Sequence, residues 1–380
     1  MLDYHLIEST EDLEMAGNKL LDYSTFYIDT EFHYTAGSEK LCLVQISTVD
    51  QIYLIDSLKI NNTKLLKDAL IKPDCKWILH SASNDIVLLK NYLKASVIPS
   101  IFDTQLAWAL LGPERFVSLS YLIYNILNER VQKSFQADNW TVRPFQTEQL
   151  EYAAYDVYYL PELEKKLLLK LKKYGKESLL TDINSELTYN ALQRHDTAKK
   201  ISINDFRNAW ELDIDGLNAL NFLIDWVNGG VDINKPEKLK NKTILNIAKM
   251  LPQSSEELSR IKGIPFNWIK KYGDLLTGRM IMATYNNPKN IELMEPEPYS
   301  TFAIKKIEGF LRMASVNICS EVNICPEIAF PTSLINDMAD EIHSSKTIIS
   351  ASKFLKGWRE KWLLKKYESF CKKNILELDD

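Results

Sequence analysis

The fold of this chain is set by residues 25–55, which read TFYIDTEFHYTAGSEKLCLVQISTVDQIYLI. Three runs within this stretch, 25–29, 41–46 and 51–55, are rich in β-branched and aromatic residues and predict β-strands. Because only a few residues separate the last two runs, their strands can be joined only as antiparallel neighbours. The stretch therefore predicts an antiparallel meander.

Beyond this meander, helices and strands alternate. We predict a helix at 62–71, a strand at 76–80, a helix at 84–92 and a strand at 100–103. Strands that are reached through a helix are joined as parallel neighbours. The fold class that follows is α/β, with a mixed five-stranded sheet and helices packed on its faces.

The remaining pattern is helical, and a length of 380 residues exceeds what one ordinary core accommodates. We predict an α/β domain at 1–195, an all-α domain at 207–288 and a second helical domain at 300–375. A proline-containing stretch at 290–300 indicates a linker between the two helical domains. The similar length of these domains suggests a duplicated module.

Composition narrows the class of protein. No run approaches the roughly 18 apolar residues that a membrane helix requires. The N-terminus lacks a basic patch followed by an apolar stretch, so we expect no secretion signal and a cytoplasmic location. Five dispersed cysteines without a Cys-x-x-Cys pair are expected to be reduced and structural.

Charge is distributed unevenly along the chain, whose formal net charge is −5. Residues 1–160 carry −8 and residues 161–380 carry +3, with +7 concentrated in 235–289 and another basic stretch at 353–373. The acidic first part suits an enzyme that collects cations, and the basic second part suits the binding of a polyanion. Solvated lysine-rich helices are the alternative interpretation.

The first candidate for chemistry is the acidic pair Asp29 and Glu31. Residues two apart on a strand project to the same face, so the two carboxylates would lie side by side. Two acids at the carboxyl end of a strand are unusual. A solvent-facing turn after the strand is the alternative.

Two further acids lie on predicted helices. Tyr152 and Asp156 are four residues apart and share one helical face, on a helix for which Thr147 is the expected N-cap. Asp85 lies in the first turn of the helix after strand 76–80, where a carboxylate is favoured. An amphipathic helix with an exposed aspartate and simple helix capping are the respective alternatives.

These residues belong to an ordered set of short segments. The segments are Asp29-Thr-Glu31, His80-Ser-Ala-Ser-Asn-Asp85, Asp103-Thr-Gln105, Lys133-Ser134, Asn139-Trp140, Arg143-Pro144 and Tyr152-Ala-Ala-Tyr-Asp156. In order and approximate spacing the set resembles ribonuclease D, a family of exonucleases with four acidic residues, a motif tyrosine and a ribonuclease H-like fold. The resemblance covers essentially the first 170 residues and implies that 1–195 is a 3′→5′ exonuclease domain.

The resemblance implies a site for two divalent ions, Mg²⁺ or Mn²⁺, which prefer oxygen ligands. By analogy with the family, Asp29 would bridge both ions. Glu31 and Asp156 would complete the site of the ion that holds the attacking water, and Asp85 would hold the other ion, largely through water. Tyr152 would orient the attacking water.

The resemblance also suggests which residues contact the substrate strand. Phe32 would stack on or wedge against the terminal base, with a core aromatic as the alternative. Contacts with phosphates or a 2′-hydroxyl are expected from His33, His80, Asn84, Gln105 and Arg143. Two departures from the family pattern bear on these contacts: Asn139 stands where the family has an acid before Trp140, and Tyr155 replaces a small residue.

Segments 222–226, 245–252, 258–263 and 271–273 look like the helicase-and-ribonuclease-D C-terminal module, called HRDC. Residues 300–375 resemble a second, degenerate copy. The basic helical modules are expected to add salt-sensitive affinity for folded RNA such as tRNA.

These features predict a 3′→5′ exoribonuclease that releases nucleoside 5′-monophosphates from RNA 3′ ends by two-metal-ion hydrolysis, acting in tRNA 3′ maturation. The expected partner is RNA with a single-stranded 3′ end, such as a tRNA precursor, and no obligatory protein partner is evident. Two alternatives stay open: a DNA-directed 3′→5′ exonuclease, and a non-catalytic nucleic-acid-binding scaffold.

Overall fold

The structure, a computed structural model, describes residues 2–35, 38–131, 138–193, 201–206, 208–229, 239–286 and 301–374. The chain forms two compact units. The first combines Met1–His33, Leu41–Arg194 and Ser300–Asp380, and the second combines Tyr34–Lys40 and His195–Tyr299. Among the described helices, none is long and apolar enough to cross a membrane.

A six-stranded sheet forms the centre of the first unit. Its strands are β1 (His5–Ile7), β2 (Thr25–Thr35), β3 (Ser38–Ser47), β4 (Ile52–Asp56), β5 (Lys76–Leu79) and β6 (Ser100–Asp103). They lie in the order β1-β4-β3-β2-β5-β6. β3 and β4 are antiparallel, whereas the pairs β1–β4, β2–β5 and β5–β6 are parallel. The predicted mixed sheet is therefore confirmed.

The predicted number of five strands is wrong, because β1 adds a sixth. β1 has only three residues, which is too short to show a strand pattern in the sequence, and it pairs in parallel with β4. β2 also runs past the predicted 25–29 and ends at Thr35.

Helices cover both faces of this sheet. They are α1 (Thr10–Leu20), α2 (Lys64–Leu70), α3 (Ser83–Tyr92), α4 (Thr104–Ala109), α5 (Leu119–Leu122), α6 (Thr147–Tyr158), α7 (Leu160–Lys173) and α8 (Glu177–Gln193). Alternate residues of β2 enter two different cores: Phe26 and Ile28 pack with α1, α2 and α3, whereas Tyr27 packs with α6 and α7. The face of β2 that carries Tyr27 and, two residues on, Asp29 is therefore directed toward α6.

The second unit is built from helices. Its described α-helices are α9 (Ile214–Val227), α10 (Asn241–Met250), α11 (Ser255–Ser259) and α12 (Phe266–Ile281), and short 3-10 or π-helical segments lie at Ile203–Asp205, Ala209–Glu211 and Met282–Asn286. Buried aromatic rings form its centre, with centroids 5.4 Å apart between Trp226 and Trp268 and 5.3 Å apart between Trp268 and Tyr272. These α-helices lie within the predicted all-α domain at 207–288, whose limits stay a prediction.

The C-terminal helices belong to the first unit. They are α13 (Phe302–Val322), α14 (Pro326–Ala329), α15 (Thr332–Ser345) and α16 (Trp358–Lys373). Ile307 and Leu311 of α13 lie in the same hydrophobic core as Leu171 and Leu179 of α7 and α8. The backbone N–H of Cys325 donates to the carbonyl of Ala109 at 2.8 Å.

Polar contacts strengthen this attachment. The buried Lys176 donates from Nζ to the carbonyls of Leu110 at 2.6 Å and Asn323 at 2.7 Å, and Arg359 pairs with Glu186 at 2.8 Å. We expected 300–375 to form a domain of its own. Helical periodicity shows which face of a helix is apolar, but it does not show which partner covers that face. The predicted segment Lys133-Ser134 and linker 290–300 lie outside the described residues.

Candidate active site

β2 carries two of the four candidate acids. Its residues 25–27 pair with β5, and Asp29 and Glu31 follow along the strand. Being two residues apart, they share the face of β2 that is directed toward α6. Both are half-buried. Because β2 continues to Thr35, the two acids lie within the strand and not at its carboxyl end as predicted.

α3 supplies the third acid. After β5 the chain turns through Ser81, whose φ is 61°, and enters α3, where Asp85 lies in the first turn. Asp85 is only 7% exposed. The buried hydroxyl of Thr30 donates a hydrogen bond to its carboxylate. Since Thr30 stands between Asp29 and Glu31, this bond ties Asp85 to the strand that carries the other two acids.

α6 supplies the fourth acid and the tyrosine. Its N-cap is Gln146 and not the predicted Thr147, because the side chain of Gln149 accepts the backbone N–H of Gln146 at 3.0 Å and closes a capping box. One turn further on, the hydroxyl of Tyr152 donates to the carboxylate of Asp156. Asp156 is half-buried and not exposed on an amphipathic surface.

The fold gathers these acids into one cluster. Asp29, Glu31 and Asp156 each place a carboxylate oxygen within 4.8 Å of the other two. Asp85 acts on the same cluster, since its negative charge raises the pKa of both Asp29 and Glu31. The structure thus brings together the predicted acids and Tyr152. Their catalytic roles stay a prediction.

Burial and mutual repulsion dominate the electrostatics of this cluster. Burial, followed by the charges of Asp85, Asp156 and Glu31, holds the pKa of Asp29 well above its usual range. Burial and the neighbouring carboxylates raise the pKa of Glu31 to about 9, and burial raises that of Asp156 to about 7. Burial and the charge of Asp156 also raise the pKa of Tyr152. The phenol is therefore protonated at neutral pH.

The cluster has the donor chemistry of a site for hard divalent cations. Its ligands are carboxylate oxygens, which suit Mg²⁺ and Mn²⁺. Carboxylates that are buried together remain partly protonated until a cation offsets their repulsion. Asp29, Glu31 and Asp156 could hold such a cation directly, and Asp85 borders the same cluster.

Asp103 organises the turn that leads to Asp85. Its carboxylate accepts four backbone N–H groups, from Ser81 at 3.2 Å, Ala82 at 2.8 Å, Gln105 at 2.8 Å and Leu106 at 3.2 Å. Asp103 belongs to one of the segments that resemble the family, but the sequence alone predicted no function for its side chain. An aspartate between a strand and a helix is a signal for an N-cap, which explains two of these four bonds.

A further acid lies close to Glu31. The charge of Asp138 contributes to the raised pKa of Glu31, and the amide nitrogen of Gln149 donates to Asp138 at 3.3 Å. Asn139, which follows, shapes a local turn by accepting the hydroxyl of Thr141 at 2.6 Å. Residue 139 is therefore not the acid that the family pattern has at this position, but Asp138, one residue earlier, influences the cluster.

Three of the residues that were predicted to contact the substrate lie next to the acids in sequence. Phe32 and His33 follow Glu31 on β2, and Asn84 precedes Asp85 in the first turn of α3. All three are half-buried. Their contact with a substrate stays a prediction.

The predicted roles of His80 and Gln105 need correction, because both side chains are used within the fold. His80 contacts the hydroxyl of Thr104 through Nδ1 at 2.9 Å and the carbonyl of Val117 through Nε2 at 3.0 Å. The amide nitrogen of Gln105 donates to the same Val117 carbonyl at 2.9 Å. Contact with a phosphate through these nitrogens would require breaking those bonds, so both residues support the loop that contains Val117.

Arg143 likewise serves the fold and not an open surface. Its guanidinium forms a bidentate pair with the fully buried Asp56, at 2.6 and 2.8 Å, and donates further to the carbonyls of Trp140 and Cys42. The side chain is 17% exposed. The expectation that Arg143 contacts a substrate is therefore not supported, because its donors have partners inside the protein.

Comparisons with known proteins find matches over the part of the chain that carries the acid cluster. The family model described as 3′-5′ exonuclease matches residues 4–172, and that of the HRDC domain matches residues 238–278. The chain is similar to the ribonuclease D of Desulfotalea psychrophila, with 26% identity over 97% of this chain and 98% of that protein. It is also similar to the ribonuclease D of Haemophilus influenzae, with 28% identity over 80% and 77% of the two chains.

The crystal structure of RNase D from Escherichia coli, described as an exoribonuclease involved in structured RNA processing, has a TM-score of 0.69 with this structure. It is 22% identical and covers 99% of this chain and 100% of that chain. The predicted fold class is thereby confirmed for a ribonuclease H-like exonuclease domain with a mixed sheet and a C-terminal helical HRDC domain, whereas the separate second HRDC-like domain is not. The acid cluster lies on that fold, residues 4–172 match the 3′-5′ exonuclease family model, and the chain is similar to ribonuclease D over nearly its whole length.

Proposed function

We propose that this protein is a metal-dependent 3′→5′ exoribonuclease that releases nucleoside 5′-monophosphates from RNA 3′ ends. The observation that carries the proposal is the approach of Asp29, Glu31 and Asp156 to within 4.8 Å of one another through their carboxylate oxygens. Asp29, Glu31, Asp85 and Asp156 would hold Mg²⁺ or Mn²⁺, and the bound metal would supply an acidified water and charge stabilisation on the departing sugar oxygen.

The electrostatics support a central position for Asp29. The pKa of Asp29 is raised by the charges of all three other acids, Asp85, Asp156 and Glu31. A carboxylate that is close to every other member of the cluster is the one suited to bridge two ions. Glu31 and Asp156 would complete one ion site, and Asp85, held by Thr30, would border the other.

Tyr152 acts as a hydrogen-bond donor in this proposal. Its raised pKa keeps the phenol protonated, so the tyrosine cannot serve as the base that takes a proton from water at neutral pH. It donates to Asp156 and would orient the attacking water from that position. Its ring lies beside the buried Trp140, with centroids 6.4 Å apart, which fixes its direction.

The choice of RNA as substrate is supported by the similarity of the chain to ribonucleases D. We propose that the substrate has a single-stranded 3′ end, that it includes tRNA precursors during 3′ maturation, and that the enzyme works in the cytoplasm without an obligatory protein partner. The HRDC match at 238–278 supports a nucleic-acid-binding role for the second unit. The basic stretch at 353–373 offers weaker support, since Lys353, Lys361 and Lys366 already pair with acids.

The test is the shortening of a 5′-labelled single-stranded RNA in Mg²⁺ or Mn²⁺, with a DNA of matched sequence in parallel. We expect a ladder that descends from the 3′ end, release of nucleoside 5′-monophosphates, and faster cleavage of RNA than of DNA. Asp29→Asn should nearly abolish cleavage, whereas Asp68→Asn, at an exposed position on α2, should leave it unchanged. Full activity of the Asp29→Asn variant would overturn the assignment, and faster cleavage of the DNA would indicate a DNA-directed exonuclease.

A further inference from the structure

The loop between α4 and α5 presents an aromatic ring to solvent. Phe116 is 74% exposed. The backbone N–H of Val117 donates to the carbonyl of Arg115 at 2.9 Å, which closes a three-residue turn with Phe116 at its apex. The exposed ring therefore lies at the apex of a defined turn.

This loop shares its support with Asp85. The carbonyl of Val117 accepts Nε2 of His80 at 3.0 Å and the amide nitrogen of Gln105 at 2.9 Å. His80 directly precedes the turn that Asp103 fixes and that leads into α3. β2 and β5 pair in parallel with Tyr27 opposite Ile78, so Asp29 and His80 each lie two residues further along toward the same edge of the sheet. The loop that His80 contacts through Val117 therefore lies at the sheet edge that carries the acid cluster.

The positively charged side chain of Arg115 covers one face of the Phe116 ring. The guanidinium carbon of Arg115 lies over the ring of Phe116, 4.5 Å from its centroid. Arg115 is itself held in place, because Nη1 donates to the carbonyl of Glu327 in α14 at 2.9 Å. A guanidinium on one face of an aromatic ring is a favourable contact that leaves the opposite face available. The pair thus forms a flat surface with a positive charge behind it.

We propose that Phe116 is a stacking platform for an unpaired base of the substrate strand, upstream of the nucleotide held at the acid cluster. This inference rests on the proposed function. It further specifies how long the single-stranded part of the substrate must be and that its bases must be unpaired. Bases stack on aromatic side chains without regard to sequence. Arg115 adds a positive charge near the strand's phosphates, which strengthens binding in a salt-dependent way. A base that is paired in a duplex cannot occupy the platform, so the preferred substrate has a single-stranded tail of several nucleotides.

The experiment compares a long and a short substrate. Wild-type protein, Phe116→Ala, Phe116→Trp and Phe302→Ala are tested with 5′-labelled hexaadenylate and diadenylate. Phe302→Ala is the matched control, since Phe302 is 90% exposed and begins α13 of the same unit. Affinity is measured by fluorescence anisotropy in EDTA, where no hydrolysis occurs, and initial rates of hydrolysis are measured in Mg²⁺. Thermal unfolding verifies that the variants are folded.

We expect Phe116→Ala to weaken the binding of hexaadenylate by about 5- to 100-fold, the range for loss of one stacked base. Diadenylate hydrolysis should stay within about twofold of wild type, because the short substrate does not reach the platform. Phe116→Trp should retain the affinity for hexaadenylate, and Phe302→Ala should match wild type on both substrates.

Three results would overturn the platform: wild-type affinity of Phe116→Ala for hexaadenylate, equal losses on both substrates, or a Phe116→Trp variant as weak as the alanine variant. A wild-type protein that binds hexaadenylate through Phe116 but hydrolyses neither substrate would instead contradict the proposed function. The two failures are therefore distinguishable, since one appears in binding and the other in hydrolysis.

Discussion

The hydrogen bond from Thr30 to Asp85 offers a sharp test of how the acid cluster is built. Thr30 is 6% exposed and donates its hydroxyl to a carboxylate that is 7% exposed. The substitution Thr30→Val keeps a β-branched side chain, which suits a strand, and removes only the donor. The variant therefore leaves the four acids in place and changes the support of one of them.

The expected effect is on the metal requirement. A hydrogen bond to a charged group contributes about 1.5–3 kcal/mol, and loss of a partner that orients a metal ligand weakens metal binding by about 10- to 100-fold. We therefore expect the Mg²⁺ or Mn²⁺ concentration for half-maximal activity to rise by about 10- to 100-fold in Thr30→Val. The rate at saturating metal should stay close to that of wild type, because the acids themselves are present.

The assay is the initial rate of RNA shortening across a range of metal concentrations. Thr63→Val is the control: Thr63 is 7% exposed and its hydroxyl donates to the carbonyl of Tyr92 at 3.2 Å. That change should lower the free energy of unfolding by about 0.5–1.5 kcal/mol and leave the metal requirement unchanged. An unchanged metal requirement in Thr30→Val, or an equal change in both variants, would show that the Thr30 hydroxyl does not support metal binding by Asp85.

The raised pKa values of Glu31, about 9, and Asp156, about 7, mean that the folded protein binds extra protons from about pH 4.5 upward. In EDTA the melting temperature should therefore fall as pH rises toward 9, and the stabilisation by Mg²⁺ should grow; a melting temperature that rises with pH would contradict this. Arg143→Leu leaves the buried Asp56 without its bidentate partner and should lower the free energy of unfolding by about 3–5 kcal/mol in a denaturant titration. If the free energy of unfolding fell by less than about 1 kcal/mol, the Arg143–Asp56 pair would contribute no more than an exposed salt bridge does. Deleting residues 301–380 uncovers apolar surface of a shared core and should lower the melting temperature of the first unit, whereas an unchanged transition would show that its parts are independent.

Local patterns in the sequence were sufficient for most of the sheet. The strand at 100–103 was predicted with the bounds of β6, and the meander and its helix crossovers followed from connection lengths alone. β1 was missed, because three residues that pair through the backbone carry no periodic signal. The shared core of the C-terminal helices was missed for a different reason: it depends on contacts between segments more than a hundred residues apart, such as Cys325 with Ala109.

For the site, spacing gave the local pairs. The two-residue spacing of Asp29 and Glu31 and the four-residue spacing of Tyr152 and Asp156 each place two groups on one face, as the structure has them. The gathering of strand and helix acids came only from the family resemblance, since no local pattern brings α6 to β2.

The polar residues around the site show where such reasoning ends. A histidine, a glutamine or an arginine near acids has the same appearance in sequence whether its donors face a substrate or the protein interior. Arg143 was predicted to contact the substrate, but its guanidinium donates hydrogen bonds to Asp56 and to backbone carbonyls. Asp103 received no role, although it fixes the turn before Asp85. Hydrogen-bond partners of this kind are a tertiary property.

We propose that four acids distant in sequence together hold a pair of divalent ions. The most direct test of this proposal is a crystal of the protein grown with Mn²⁺ and a nucleoside 5′-monophosphate, in which anomalous scattering locates the metal. We expect two Mn²⁺ peaks about 3.5–4 Å apart, with the Asp29 carboxylate between them and Glu31, Asp156 and Asp85 around them. A single peak elsewhere, or a nucleotide bound with no metal at Asp29, would contradict it.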